Sequence, residues 1–132
     1  MNGILDVSGA VEILLQKEKA QKYYEVFLKT TIVVAPDLYV SELSNTLWKY
    51  YSVNILSDKE CFEHILTGIN YISQFIDSKE IWQEAFAEGV KNNHSIYDMF
   101  YLVTARRYGG VLITNDSVLT AICRKNRIEV CF

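Results

Sequence analysis

The chain has 132 residues and a formal net charge of −3; half of its residues are hydrophobic and 22% are charged. This length allows one domain with a substantial hydrophobic core but not two, so we expect a single domain over residues 1–132. The composition excludes a disordered or collagen-like chain, and the negative charge disfavours a protein that binds nucleic acid with its whole surface.

We expect neither a membrane span nor a secretion signal in this chain. No apolar run approaches the roughly 20 residues that span a bilayer, and the N-terminus lacks a basic segment followed by a long apolar one. The cysteines are odd in number and widely spaced, at Cys61, Cys123 and Cys131. We expect free thiols in a cytoplasmic protein without membrane contact, because a zinc site needs closer pairs of cysteines.

Short apolar runs alternate with amphipathic segments along the chain. The run at 32–35 is β-branched and uninterrupted, as expected for a central parallel strand. Pro36 is expected to open the next helix, where its missing N–H costs nothing. The predicted strands are 3–5, 32–35, 71–76, 111–113 and 128–132. The predicted helices are 7–17, 18–29, 36–52, 57–67, 78–91, 95–108 and 118–124.

Strands that alternate with helices predict a three-layer α/β domain, in which helices cover both faces of a parallel sheet of four or five strands. In such sheets, ligands bind at the carboxyl ends of the strands. Asp6 and Asp116 both lie just past a predicted strand, and Asp98 lies at a helix N-terminus. We therefore expect these three carboxylates to gather at one edge, joined by Glu42 if its helix passes that edge.

Each acid also has a simpler interpretation. Asp6 can cap the helix that follows it, and Asp98 lies three residues after Ser95, in the position of a capping box. Asp98 also heads an apolar stripe, where a carboxylate is costly unless something pairs with it. Glu42 lies off the apolar stripe of its helix, which by periodicity alone predicts a solvated surface residue.

A gathered set of carboxylates favours a bound cation, because the acids repel one another and raise one another's pKa. Oxygen-only ligands suit Mg²⁺ or Mn²⁺ rather than zinc. Such an ion attracts phosphate oxygens and activates water, which would offset the negative charge of the protein. Glycine-rich phosphate loops and nucleophile elbows are absent. Basic side chains that could orient a nucleic acid, or simply be solvated, are Lys17, Lys19, Arg106, Arg107, Arg124 and Lys125.

Four segments together resemble the PIN-domain family, and most closely the VapC-type toxins of prokaryotic toxin–antitoxin pairs. The segments are ILDVS at 4–8, APDLYVSE at 35–42 with Asn45 after it, SIYDMFYLVTA at 95–105 and LITNDSVL at 112–119. Their order and separation carry the resemblance, which covers nearly the whole chain.

The resemblance implies one PIN-like domain over residues 1–132 that acts as a Mg²⁺- or Mn²⁺-dependent endoribonuclease. The metal-binding and catalytic acids that it implies are Asp6, Glu42, Asp98 and Asp116. The supporting residues that it implies are Ser8, Asn45 and Thr114. It also implies an RNA substrate, a homodimer and a small antitoxin that blocks the groove.

Two alternatives stay open at this point. The chain could be a PIN-type RNA-processing nuclease or an RNA-binding domain that is not a toxin; an adjacent small antitoxin gene would argue against this. It could instead be an α/β protein whose acids are caps and surface charges, without catalysis. That alternative predicts no magnesium binding and no loss of function after Asp98→Asn.

Overall fold

Four β-strands and seven α-helices make up the computed structural model, which describes residues 1–132. The strands are β1 (Asn2–Leu5), β2 (Ile32–Pro36), β3 (Gln74–Ile76) and β4 (Val111–Ile113). The helices are α1 (Val7–Leu14), α2 (Ala20–Leu28), α3 (Leu38–Ser52), α4 (Asp58–Asn70), α5 (Ser78–Asn92), α6 (Ile96–Tyr108) and α7 (Ser117–Lys125). None of these helices is both long enough and apolar enough to cross a bilayer.

The four strands form one parallel sheet in the order β3-β2-β1-β4. Successive residues of β1 point to opposite faces: Leu5 packs in a buried cluster with α1 to α4, and Ile4 packs in another with α5 to α7. In β4, Ile113 belongs to the first cluster and Leu112 to the second. Both faces of the sheet are therefore covered, which explains why β2 and β4 are apolar throughout. The predicted three-layer α/β fold is confirmed.

Several predicted boundaries were wrong. Pro36 ends β2 rather than opening α3, because the pairing with β3 continues to Pro36, which lies opposite Ile76. The strand β3 begins later than predicted, and α1 ends earlier. The expected fifth strand at 128–132 is reduced to a single bridge between Leu112 and Val130, because β4 offers only three residues at the edge of the sheet.

The connection from β1 to α1 brings the backbone of α1 against the end of β4. Asp6 caps α1 by accepting the Gly9 N–H at 2.9 Å, and its own N–H donates to the Ile113 carbonyl oxygen at 3.2 Å. A Cβ at Gly9 would lie 2.6 Å from that same oxygen. This approach therefore requires a residue without a side chain, and it holds Asp6 beside the carboxyl end of β4.

We expect Gly9→Ala to lower the free energy of unfolding by about 1–3 kcal/mol, because the new methyl group meets a backbone atom that cannot rotate away. Urea denaturation followed by circular dichroism measures this. Gly68→Ala is the matched control: its Cβ would come closest to the flexible ends of Leu43 and Leu14, and it would lie in ordinary contact with the Tyr39 hydroxyl, at 3.5 Å. The close approach would be contradicted by a Gly9→Ala protein as stable as wild type.

Candidate active site

A cavity of about 340 Å³ opens where the chain leaves β1 and β4. The four acids predicted from the sequence all line it: Asp6, Glu42, Asp98 and Asp116. They come from four separate parts of the chain, two after strands and two from the first halves of helices α3 and α6. The fold therefore brings the predicted carboxylates to one place.

Asp6 lies deepest in this group, with 5% of its surface exposed. Its Oδ1 accepts the Gly9 N–H at 2.9 Å and the Ser8 hydroxyl at 2.7 Å, and its Oδ2 accepts the Thr114 hydroxyl. Burial raises the pKa of Asp6 to about 6; these three hydrogen bonds oppose that rise, and the charge of Asp116 adds to it. A deeply buried carboxyl is thus held in one orientation by the first turn of α1 and by the loop after β4.

Asp116 follows β4 and caps α7. One of its carboxylate oxygens, Oδ1, accepts the N–H groups of Val118 at 2.9 Å and Leu119 at 3.0 Å. Its negative charge contributes to raising the pKa of both Asp6 and Asp98. Asp6 and Asp116 therefore cap helices, as the simpler interpretation held, and line the cavity as well.

Asp98 lies in the first turn of α6, at the head of a buried stripe. Ser95 is the N-cap residue but its side chain makes no capping hydrogen bond, so the expected capping box is not formed. Asp98 instead faces His94, whose Nε2 lies 3.5 Å from Oδ2. Burial raises the pKa of Asp98, the charge of Asp116 raises it further, and His94 lowers it.

Glu42 is half-buried and turns toward the cavity from α3. The Tyr101 hydroxyl donates to Glu42 Oε1 at 2.7 Å. Burial raises the pKa of Glu42, the hydrogen bond from Tyr101 opposes this, and the charges of Asp6 and Asp98 raise it further. This carboxyl is therefore oriented by a buried tyrosine of α6.

The periodicity-based interpretation of Glu42 as a solvated surface residue was wrong. The buried stripe of α3 contains Tyr39 and Leu43, and Glu42 borders it because residues three apart lie on neighbouring positions of a helix. Thr46, one turn later, lines the same cavity. Asn45, which the resemblance implied as a supporting residue, is exposed and does not line the cavity.

Other side chains of the cavity were missed by sequence reasoning. Asn115 accepts hydrogen bonds from Lys19 Nζ at 3.0 Å and the Tyr23 hydroxyl at 3.1 Å, and donates to Glu12 Oε1 at 3.2 Å. Glu12 is buried, and an acid within the apolar helix α1 was the available signal for it. No local signal marks Tyr101, which looks like an ordinary core residue of α6.

The residues of the cavity fit a divalent cation in their chemistry. No three Asp, Glu, His or Cys side chains form an arrangement that ligates one ion as they stand. However, all four predicted acids offer oxygen donors, and burial raises the pKa of Asp6, Glu42 and Asp98. A divalent cation would relieve this cost. Ligation requires side-chain rotations toward a common point.

A profile of the PIN domain matches residues 4–125 of the chain. The chain belongs to the PIN-domain family. It is also similar to Ribonuclease VapC3 of Pyrobaculum aerophilum, with 23% identity over 121 residues that cover 90% of this chain and 92% of that protein. The resemblance to PIN domains that the sequence suggested is confirmed.

A solved structure supports the same arrangement of strands and helices. The crystal structure of PAE2754 from Pyrobaculum aerophilum aligns with a TM-score of 0.74 and 20% identity, over 92% of this chain and 84% of that one. At this identity the similarity shows that the two proteins share a fold.

The raised pKa of Asp6 predicts how the stability of this PIN domain depends on pH. Burial raises the pKa of this carboxyl from its ordinary value of 3.8 to about 6, so the stability it contributes is greatest below pH 3.8 and is lost as pH rises through 6. The difference corresponds to roughly 3 kcal/mol. In EDTA, wild type should therefore lose stability relative to Asp6→Asn between acidic and neutral pH.

Urea denaturation at pH 5 and pH 7.5 should show about half of this difference, because the other half is already lost below pH 5. Asp58→Asn is the control. Asp58 is an exposed aspartate of α4 that does not line the cavity. Parallel pH profiles for wild type and Asp6→Asn would contradict the raised pKa.

Proposed function

We propose that this protein is an endoribonuclease that hydrolyses RNA phosphodiester bonds with Mg²⁺ or Mn²⁺. The observation that carries the proposal is the convergence of Asp6, Glu42, Asp98 and Asp116 on one cavity. Buried acids that repel one another destabilise the folded protein, but they are suitable ligands for a hard cation. The similarity to a protein named Ribonuclease VapC3 supports RNA as the substrate class.

In this proposal Asp6, Asp98 and Asp116 hold the metal, and Glu42 binds it directly or through water. When bound, such an ion supplies positive charge to a phosphate oxygen and lowers the pKa of water. The chain itself supplies orientation. Ser8 and Thr114 fix both oxygens of Asp6, and Tyr101 fixes Glu42.

We further propose that the protein is the toxin of a type II toxin–antitoxin pair, acting in the cytoplasm as a homodimer inhibited by a small antitoxin. The name of the VapC3 relative supports the toxin role. Large exposed apolar side chains offer contact surface for a second copy or a partner: Trp48, Phe62, Trp82 and Phe86. Growth arrest on expression, relieved by a small neighbouring protein, would separate a toxin from a PIN-type RNA-processing nuclease or RNA-binding domain.

We expect purified wild type to cleave RNA with Mg²⁺ or Mn²⁺ and to lose this activity in EDTA. Asp98→Asn should lower the rate at least about a hundredfold, because it removes one charged ligand of the metal. Mg²⁺ should raise the melting temperature of wild type more than that of Asp98→Asn. Cleavage is measured on total RNA and on randomised single-stranded RNA.

Asp58→Asn, which changes an exposed aspartate in the first turn of α4, should cleave like wild type. The proposal fails if EDTA leaves cleavage unchanged. It also fails if wild type and Asp98→Asn show the same negligible response to Mg²⁺ and the same behaviour toward every RNA.

Tyr101→Phe should raise the Mg²⁺ concentration for half-maximal activity, or lower the activity, by about tenfold or more, because it removes the hydrogen bond that orients Glu42. Tyr39→Phe is the matched control. Tyr39 is also a buried tyrosine, but its hydroxyl donates to the Gly68 carbonyl at 2.8 Å and not to Glu42. Equal Mg²⁺ dependence for the two variants would show that Tyr101 has no positioning role.

A further inference from the structure

Lys17 is the one cationic side chain that lines the cavity of the acids. Five carboxyl side chains line the same cavity, those of the four predicted acids and Glu12. Lys17 nevertheless takes part in none of the ion pairs of the protein. Its positive charge is therefore not neutralised by a carboxylate, although it borders the most acidic cavity of the structure.

The backbone at Lys17 is fixed by the way α1 ends. Gln16 adopts a left-handed conformation, with φ of 50°. The Gln16 N–H donates to the Ile13 carbonyl at 3.2 Å, and the Lys17 N–H donates to the Glu12 carbonyl at 2.9 Å. These two bonds form a Schellman motif, in which glycine is usual at the left-handed position. A glutamine in this conformation is strained, and this strained residue directly precedes Lys17.

The ammonium group of Lys17 is held as well. Its Nζ donates to the Tyr50 hydroxyl and lies 5.1 Å from the centre of the Tyr50 ring. A tyrosine holds a lysine without neutralising it, unlike a carboxylate. Lys17 is therefore a pre-positioned positive charge at the rim of the cavity.

Beyond Lys17 lies a second cavity of about 610 Å³, which Lys17 also lines. Tyr24 and Tyr71 supply aromatic rings to it, Gln16 and Gln21 supply side-chain amides, and Glu18 supplies one carboxylate. Phe27 supports both tyrosines, with ring centres 6.0 Å from Tyr24 and 5.1 Å from Tyr71. Aromatic rings beside amide groups match a nucleobase, which has flat faces to stack and polar edges to bond.

We propose that Lys17 binds a backbone phosphate of the RNA next to the cleaved bond, and that the second cavity holds the unpaired nucleobase on that side. The inference rests on the proposed nuclease function and deepens it. A single strand that crosses from the acids to Tyr24 must pass Lys17, because Lys17 lines both cavities. A phosphate at this point would contact the ammonium group of Lys17, and the base next to it would stack on the tyrosines of the second cavity.

A third depression also adjoins Lys17 but fits a base less well. Half of its lining is aliphatic, from Leu14, Leu15, Ile55 and Leu56. It also contains His64 and one tyrosine, Tyr50, whose hydroxyl already accepts a hydrogen bond from Lys17. It offers one glutamine where the second cavity offers two, and it lacks the pair of tyrosines that Phe27 supports. The second cavity is therefore the better continuation of the strand.

The phosphate contact is tested with Lys17→Met on a single-stranded oligoribonucleotide, chosen as one that wild type cleaves with Mg²⁺. KM should rise about tenfold with kcat unchanged, because a charged contact to bound substrate is lost. The slope of log kcat/KM against log salt should become shallower by about 0.7, the value for one phosphate contact on a single strand. Lys22→Met is the matched control, since Lys22 also lies over an aromatic ring, that of Phe132.

The base contact is tested with Tyr24→Leu, which replaces a partly exposed ring, and with Tyr51→Leu as control on α3. Tyr24→Leu should lower kcat/KM about tenfold on the intact oligonucleotide. On an oligonucleotide with an abasic residue next to the cleaved bond, on the side of the second cavity, Tyr24→Leu and wild type should have the same kcat/KM, because there is no base for Tyr24 to contact. Placing the abasic residue first on one side of the cleaved bond and then on the other shows which neighbouring base the second cavity holds.

The outcomes separate this inference from the proposed function. If wild type cleaves no RNA, the nuclease function fails and the inference falls with it. If wild type cleaves RNA but Lys17→Met and Tyr24→Leu match their controls, the inference alone is overturned. It is also overturned if Tyr24→Leu leaves RNA kinetics unchanged and only weakens the binding of a protein partner.

Discussion

The buried carboxyl of Asp6 is the constraint on which the site depends. It stands where β1 becomes α1, and its two oxygens accept hydrogen bonds from Gly9, Ser8 and Thr114. These contacts tie the start of α1 to the loop after β4. Burial still raises the pKa of Asp6 to about 6, so at neutral pH the fold keeps a charged group where a neutral one would be more stable. Such a cost is typical of functional positions rather than of structural ones.

The same atoms serve structure and site. Asp6 and Asp116 each cap a helix and line the cavity, and Tyr101 packs in the core while its hydroxyl orients Glu42. Lys17 lies at the rim of this cavity of acids, and its positive charge has no carboxylate partner. A cation bound among the acids and a lysine beside them would together let a protein of net charge −3 approach RNA through one local region.

The candidate site could be predicted only in part. Asp6 and Asp116 follow directly from strand ends, because parallel strands direct their carboxyl ends to one edge of the sheet. Glu42 could not be placed by periodicity, since it borders the buried stripe of α3 and only its contact with Tyr101, far along the chain, shows which way that border faces. Asn45 was assigned to the site by resemblance, but the helix turns it outward and places Thr46 at the cavity.

The sequence by itself determined the alternation of strands and helices, the parallel sheet buried on both faces and the acids at its edge. These features depend on local patterns: uninterrupted apolar strands, amphipathic helices and carboxylates just past strand ends. Tertiary structure alone decided that 128–132 forms only one bridge, that Tyr101 reaches Glu42 and that Lys17 lies between two cavities. Those facts depend on contacts between residues far apart in the chain, and no local periodicity encodes which distant side chains will meet.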